Sequence, residues 1–252
     1  MKSSEKVQCY CCEKLATTKD HIPPKCFFPG KKQPSSGSPD YRVNLITVPA
    51  CAEHNNSRSI DDEYTAAVVI MNSRSDLAST MFKSKWVHTL LGREDKGFLG
   101  KRIFSTARSA KVISNKNSIL IPHKTLAISY EMKRIERVIE SIARALYYVE
   151  SGYQEKWTNS CVIRSPNFLN RDLSYSQDAH TLDQTNQAFI HGEKYQELGL
   201  TRKGLNPDIF YYQFLKSEDK NLIIRMVFYS DFVFLAFLTE RETAPSPIIL
   251  AI

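Results

Sequence analysis

The sequence predicts an α+β protein, in which a small cysteine-rich module precedes a helical stretch and a mixed domain of helix and antiparallel sheet. Three observations support this class. Five of the six cysteines lie in the first 51 residues. Apolar residues recur at helical spacing over residues 131–150, and the last third contains aromatic and β-branched runs of strand length. We place the boundary near residue 75, which divides the chain into residues 1–75 and residues 76–252.

Composition indicates an ordinary globular protein. The chain has 252 residues, of which 42% are hydrophobic and 24% charged. The N-terminal residues are polar and charged, whereas a signal peptide needs an apolar core. The most apolar tract, residues 227–238, is interrupted by Ser230 and Asp231 and is shorter than the ~20 residues that span a bilayer. We therefore expect a cytoplasmic protein without a membrane partner.

The positive charge is concentrated in the first half. The formal net charge is +7, and residues 1–120 contain 19 Lys+Arg against 11 Asp+Glu, which leaves +8 there and −1 in the remainder. Such a basic half suits a polyanionic partner, most simply nucleic acid. A solvated basic surface with no special partner explains the charge equally well.

Two short pairs have the spacing of metal ligands. Cys9-x-x-Cys12 and Cys51-x-x-His54 each place two ligands on one tight turn. Three thiolates and one imidazole suit a tetrahedral, structural Zn²⁺, which would contribute folding free energy to so small a module. Cys11 and Cys26 are left over. The alternatives are partial ligation or ordinary reduced cysteines.

The elements of the front module follow from local signals. Residues 31–40 are a predicted loop, and residues 42–48 a strand that ends at Pro49. A helix is expected over residues 63–71, with Ser59 as a plausible N-cap. Its first turn holds three acids, which either favour the helix dipole or form an outer-shell partner for a metal ion or His54: Asp61, Asp62 and Glu63.

The remaining elements are predicted in the same way. We expect a helix over residues 76–92, capped near Ser75 or Asp76, and a short strand over residues 118–121. Residues 83–116 form a basic segment. Residues 131–150 form a packed helix that ends at Gly152. An antiparallel meander is predicted from three buried strands: residues 209–215, 222–229 and 232–238.

A second cluster lies between the two ligand pairs. Asp20 and His21 precede Pro23 and Pro24, which keep the chain extended. Antiparallel pairing of this segment with the strand near residue 45 is expected to bring Asn44 against His21. Asn55 and Asn56 follow the second ligand pair and open the helix.

Residues 9–64 resemble the HNH endonuclease family. The resemblance covers about a quarter of the chain and rests on three strings: TKDHIPPKCFFP over residues 18–29, VNLITVPACAEHNN over residues 43–56 and SIDDEY over residues 59–64. It implies a ββα-metal fold, in which two strands, a loop and a helix surround one divalent ion.

The resemblance also implies roles for single residues. His21 would be the general base, Asn44 would orient it, and Asp20 would bind the catalytic Mg²⁺ or Mn²⁺ with Asn55. Many family members have His at the Asn55 position, and Asn56 takes the role if the register slips by one.

The implied function is metal-dependent hydrolysis of phosphodiester bonds, with DNA as the expected substrate and restriction or anti-phage defence as the biological role. Lys19, Lys25 and Arg58 are candidate phosphate contacts. Two alternatives remain: a non-catalytic zinc-stabilised nucleic-acid-binding module, and a nuclease that a partner gates through residues 76–252. A homodimer and a regulatory protein partner are both compatible with the sequence.

Overall fold

The protein is described by a computed structural model that covers residues 7–30, 39–91, 98–116, 119–168, 178–193, 200–216 and 221–240. Strand β1 (Thr18–Ile22) pairs antiparallel with β2 (Ile46–Ala50), and helix α1 (Ser59–Asn72) follows. A single 3-10 turn, Asn56–Arg58, leads into α1. The first three elements therefore have the order strand, strand, helix.

The next segment contains short helices and one long hairpin. Helix α2 (Asp76–Met81) continues through a π-helical turn, Phe82–Trp86, into α3 (Val87–Leu91), and α4 (Phe98–Phe104) packs beside α3. The Ser75 hydroxyl accepts a hydrogen bond from the Ala78 amide at 3.1 Å, which confirms the predicted cap. Strands β3 (Arg108–Lys116) and β4 (Ile119–Ala127) then form a two-stranded sheet of their own.

The last part of the chain builds a five-stranded antiparallel sheet. Helix α5 (Met132–Glu150) precedes β5 (Ser160–Arg164), and α6 (Asp178–Gly192) precedes the remaining strands. These strands are β6 (Lys203–Asn206), β7 (Phe210–Lys216), β8 (Leu222–Phe228) and β9 (Phe232–Thr239), and the sheet order is β5-β9-β8-β7-β6. The predicted meander and the helix over residues 131–150 are both confirmed.

The three central strands, β7, β8 and β9, are buried on both faces, which explains why they are almost continuously apolar rather than alternating. One face packs under α6, where Leu182 and Phe189 contact side chains such as Tyr211 and Val227. The other face, which includes Phe228, belongs to the main core of the protein.

The main core crosses the predicted boundary near residue 75. Helix α1 packs against α5, and the ring of Phe27 lies 5.0 Å from the ring of Phe228 in β8. The Tyr229 hydroxyl donates to the Phe27 carbonyl oxygen, and one hydrophobic cluster runs from Cys9 to Leu238. In the described residues, the front module and the sheet therefore share one core.

Several predicted boundaries need correction. Strand β2 begins at Ile46 rather than at residue 42 and continues through Pro49. Helix α1 begins at Ser59, so Ser59 is not its N-cap. The short strand predicted at residues 118–121 is part of a nine-residue strand in a hairpin. Of the predicted loop 31–40, residues 31–38 lie outside the described residues, as does the end of the helix predicted to reach residue 92.

Among the described residues, no helix is long and apolar enough to cross a bilayer.

Candidate metal centre and active site

Two turns present the cysteine and histidine ligands. The first is closed by an isolated bridge between Gln8 and Leu15 and by a 2.9 Å hydrogen bond from the Cys9 amide to the Lys14 carbonyl. In the second, the amides of His54 and Asn55 donate to the Cys51 carbonyl oxygen at 3.1 and 3.2 Å. Each turn is therefore stabilised by its own backbone hydrogen bonds, which do not depend on contact with the other turn.

The four side chains meet in one cluster. The Sγ atoms of Cys9, Cys12 and Cys51 and the Nδ1 atom of His54 all lie within 4.8 Å of one another. The His54 Nδ1 atom is 3.7, 3.5 and 3.2 Å from the three sulfur atoms in that order. Ligands about 2.3 Å from a tetrahedral ion are separated by about 3.8 Å, so the cluster can hold a metal ion. The expected meeting of these four groups is confirmed.

The electrostatics of this cluster call for a cation. Burial raises the pKa of Cys12 to about 11. Burial also acts to raise the pKa of Cys51, but hydrogen bonds, chiefly from His54, outweigh it and lower the pKa to about 7. Cys12 and Cys51 lie in the same cluster, so ionising the second thiol is unfavourable once the first is a thiolate. A bound cation removes this cost, since a coordinating thiol is deprotonated.

Strand β1 separates Asp20 and His21 onto opposite faces. Asp20 points inward and is 3% exposed, whereas His21 is half-buried on the outer face. Burial, and then the charge of Lys25, lower the pKa of His21 below its usual value, against a weaker opposing effect of Asp20. The imidazole is therefore neutral at neutral pH and can accept a proton.

The expected pairing of Asn44 with His21 is wrong. In the β1–β2 register His21 lies opposite Thr47 and Ile22 lies opposite Ile46. Asn44 is exposed, precedes the strand and has φ 56°, a left-handed conformation that asparagine tolerates better than most residues. Thr47, rather than Asn44, is therefore the residue across from His21.

The predicted role of Arg58 is also wrong. We expected it to contact phosphate, but it is 5% exposed and fully engaged inside the protein. Its guanidinium donates to Asp20 at 2.7 Å and to Asp62 at 3.2 Å. It also donates to the hydroxyls of Tyr10 and Ser141, the latter on α5. Arg58 therefore links β1, α1 and α5 and cannot reach a phosphate in this conformation.

The two buried acids of α1 also have structural partners. Asp61 accepts from Arg134 and from Arg137, at 2.6 Å for the latter, which ties α1 to α5. Burial raises the pKa of Asp62 to about 6, although the neighbouring Arg58 opposes the rise. Neither acid needs the outer-shell role toward a metal ion that the sequence left open, and Glu63 is exposed. Sequence reasoning missed Tyr10 and Ser141, for which no local signal exists.

Asn55 lies against β1. Its Nδ2 atom donates to the Thr18 hydroxyl at 3.0 Å and to the Lys19 carbonyl at 3.3 Å. This places the start of the helical segment beside the strand that holds Asp20 and His21. The side-chain carbonyl oxygen of Asn55 accepts no hydrogen bond from the described residues. Asn56 is exposed and does not make these contacts.

An open cleft of about 710 Å³ lies along the hairpin. Lys19 and Thr47, on the same face as His21, form part of its wall, and Tyr148 and Tyr153 at the end of α5 form another part. Lys19 and Lys25 are exposed, so both are free to meet a phosphate. Neither His21 nor Lys25 lines this cleft, so the cleft lies beside the candidate base and meets its face of the hairpin at Lys19 and Thr47.

Comparison with known proteins gave no significant match to any family model, any curated protein or any solved structure.

Proposed function

We propose that this protein is an HNH-type, metal-dependent endonuclease that hydrolyses phosphodiester bonds in nucleic acid, with DNA as the substrate. One observation carries the proposal: the cluster of three cysteines and His54 lies in a strand-strand-helix unit that presents His21 outward on β1, and Asn55 is hydrogen-bonded to the same strand at Thr18 and Lys19. The order and spacing of these residues match the family resemblance. A role in restriction or anti-phage defence is an analogy with that family.

Phosphodiester hydrolysis needs a base for the attacking water and groups that hold the phosphate next to it. Attack on phosphorus requires a water molecule to lose a proton, and His21 is a neutral, accessible imidazole that can accept it. Thr47 lies opposite His21 and Lys19 lies two residues away on the same face, so this face can hold a phosphate group near the base. General-base catalysis of this kind typically accelerates a reaction by about 10²–10⁴-fold.

A structural Zn²⁺ fits the cluster of three cysteines and one histidine, because sulfur and imidazole ligands at tetrahedral spacing are those zinc prefers. Such a site has all four positions filled by protein, so it stabilises the fold and leaves no position for water. Zinc therefore belongs to folding in this proposal, and a second ion belongs to catalysis.

The catalytic Mg²⁺ or Mn²⁺ would rest on oxygen ligands from Asp20 and Asn55. Hard cations prefer such oxygens, and an ion held there would supply positive charge to stabilise the leaving oxygen. Arg58 already neutralises Asp20, so this carboxylate alone holds an ion weakly. Mg²⁺ is often completed by water and by substrate phosphates, but Asp20 is 3% exposed and faces inward, away from His21. It would therefore reach an ion shared with the substrate only if its ion pair with Arg58 opened.

The test is cleavage of supercoiled plasmid by the full chain with Mg²⁺, with Mn²⁺ and without either ion. We expect nicking or linearisation that depends on the ion and falls at least about 100-fold in His21→Ala. The matched control is His88→Ala, since His88 is an exposed histidine on α3 and should not affect cleavage. Equal cleavage by His21→Ala and the unmodified chain would reject His21 as the base.

One observation favours a second function, that of a non-catalytic nucleic-acid-binding module. The ion pair with Arg58 occupies an oxygen of Asp20, which is the only carboxylate in the proposed catalytic site. Plasmid binding without cleavage under every ion condition would support this second function. Cleavage that appears only after a cell extract is added would instead favour gating by a partner.

A further inference from the structure

Strands β3 and β4 form a long two-stranded ribbon, which is a sheet of its own. They pair over nine residues each, from Arg108 opposite Ala127 to Lys116 opposite Ile119. At about 3.4 Å per residue, the ribbon is about 30 Å long. Most of its described side chains are exposed: Arg108, Ser109, Lys111, Pro122, Lys124, Thr125, Leu126 and Ala127.

The ribbon is uniformly basic. Residues 97–130 contain no Asp or Glu, and the ribbon carries four cationic side chains: Arg108, Lys111, Lys116 and Lys124. Lys111 lies directly opposite Lys124, and both are exposed on the same face. Like charges in this position repel each other, and no carboxylate within the ribbon offsets the repulsion. A polyanion would remove it.

The base of the ribbon is fixed to the body of the protein. The Thr106 hydroxyl donates to the Ser129 carbonyl at 2.9 Å and accepts from the Ser129 amide at 3.1 Å, which closes the two ends. The Glu131 amide then donates to the Tyr64 hydroxyl at 2.9 Å. Tyr64 is on α1, so the chain just after the ribbon is hydrogen-bonded to the helix that follows Asn55 in the sequence.

We propose that the β3–β4 ribbon binds duplex nucleic acid by lying in the major groove, with Lys111 and Lys124 against the phosphates. This inference rests on the proposed nuclease function and names the surface that would bind its duplex substrate. A two-stranded ribbon fits the major groove of B-form DNA, which is about 12 Å wide. Leu126 is 65% exposed on the same face as the two lysines and can contact the apolar edge of a base.

The ribbon is less suited to pairing with a second copy of the chain. Lysine and proline on a sheet edge discourage edge-to-edge pairing, and β4 contains both Pro122 and Lys124. Two copies would also bring their cations together without any acid from either ribbon. The charge of the surface thus favours a polyanion over a copy of itself.

Duplex binding by Lys111→Ala/Lys124→Ala tests the proposal. We would measure it with a labelled 30-base-pair DNA in a His21→Ala background, so that cleavage does not interfere. The matched control is Lys133→Ala/Lys216→Ala, which removes the same charge from exposed positions outside the ribbon. We expect the ribbon variant to bind at least tenfold more weakly and the control to bind within about twofold of the parent. Losing two phosphate contacts should also reduce the slope of log affinity against log salt by about 2.

Equal affinity of the ribbon variant and the control would overturn the proposal, as would failure of the parent to bind duplex. Analytical ultracentrifugation would also overturn the proposal if it showed that the parent is a dimer and the ribbon variant is a monomer. Both lysines are exposed, so an unchanged melting temperature serves as the folding control. Binding that depends on the ribbon without any cleavage by the unmodified chain would reject the nuclease and leave the ribbon as a binding surface.

Discussion

At the scale of single residues, Arg58 shows how burial decides a role that charge alone leaves open. An arginine after the second ligand pair suited a phosphate contact, because the first half of the chain is basic. In the structure its guanidinium is enclosed by two carboxylates and two hydroxyls. Burial raises the pKa of Asp20 and of Asp62, and Arg58 offsets part of this cost. Arg58 therefore holds three elements together.

Arg58→Met should destabilise the protein severely. The substitution leaves Asp20 and Asp62 buried without their cation, and breaking a buried ion pair in this way costs about 3–5 kcal/mol. Urea unfolding followed by circular dichroism measures the change. Arg137→Met is the control, since the Arg137 side chain is 64% exposed and its ion pair with Asp61 should contribute no more than about 1 kcal/mol. Similar losses in both variants would contradict the role of Arg58.

At the scale of elements, the fold depends on the two short turns that present the metal ligands and on the close packing of α3 against α4. The two ligand turns form locally, and they meet because the Tyr10 and Thr17 amides donate to the Pro49 and Ala50 carbonyl oxygens at the end of β2, next to Cys51. The α3 and α4 helices approach closely at Gly100, where a Cβ atom would overlap the Leu90 carbonyl group. Both features lead to predictions.

Cys51→Ser should remove the metal, whereas Cys11→Ser should not. Cys51 supplies one of the four clustered ligand atoms, and Cys11, although adjacent to Cys12, lies outside the cluster. Elemental analysis of purified protein should give about one zinc per chain for the unmodified protein and for Cys11→Ser. Zinc retained in full by Cys51→Ser, or lost equally by both variants, would show that the ligand set is wrong.

Gly100→Ala should destabilise the contact between α3 and α4. The new methyl group would meet backbone atoms of Leu90, which cannot rotate away, and overpacking of this kind costs about 1–3 kcal/mol. Differential scanning calorimetry would show the lower melting temperature. Gly30→Ala is the control, since a Cβ atom there meets nothing within 4 Å. A melting temperature as high as that of the control would contradict the close approach.

At the scale of the whole molecule, one core joins the candidate nuclease module to the five-stranded sheet. Helix α1 buries residues on several sides, because it packs against the 3-10 turn Lys25–Phe27, α2 and α5. Asp61 in α1 and Arg58 in the 3-10 turn before it both contact α5. The module is therefore supported from behind by residues that lie far along the chain.

A fragment of residues 1–75 should fail to fold as the intact chain does, even with zinc. It would expose the face of α1 that packs on α5 and leave Asp61 without Arg134 and Arg137. Its proton–nitrogen NMR spectrum should show poor dispersion for the residues of α1. A well-dispersed spectrum that overlays on the one from the intact chain would instead support an independent domain.

The sequence by itself determined the features that depend on neighbouring residues. The spacing of Cys9, Cys12, Cys51 and His54 predicted one cluster, because each pair needs only a tight turn to present two ligands. The apolar runs predicted the meander, and helical periodicity predicted α5, since each signal lies within its own segment.

Only the tertiary structure decided the features that depend on distant residues. The register of β1 and β2 puts Thr47 opposite His21 and leaves Asn44 in the turn before β2. Arg58 became buried because Ser141 and the rest of α5 close over it, 83 residues along the chain. The ribbon forms a separate sheet because β3 and β4 pair with each other over nine residues, and most of its described side chains are exposed. Burial and register follow from the free energy of the whole packed core, which no local pattern contains.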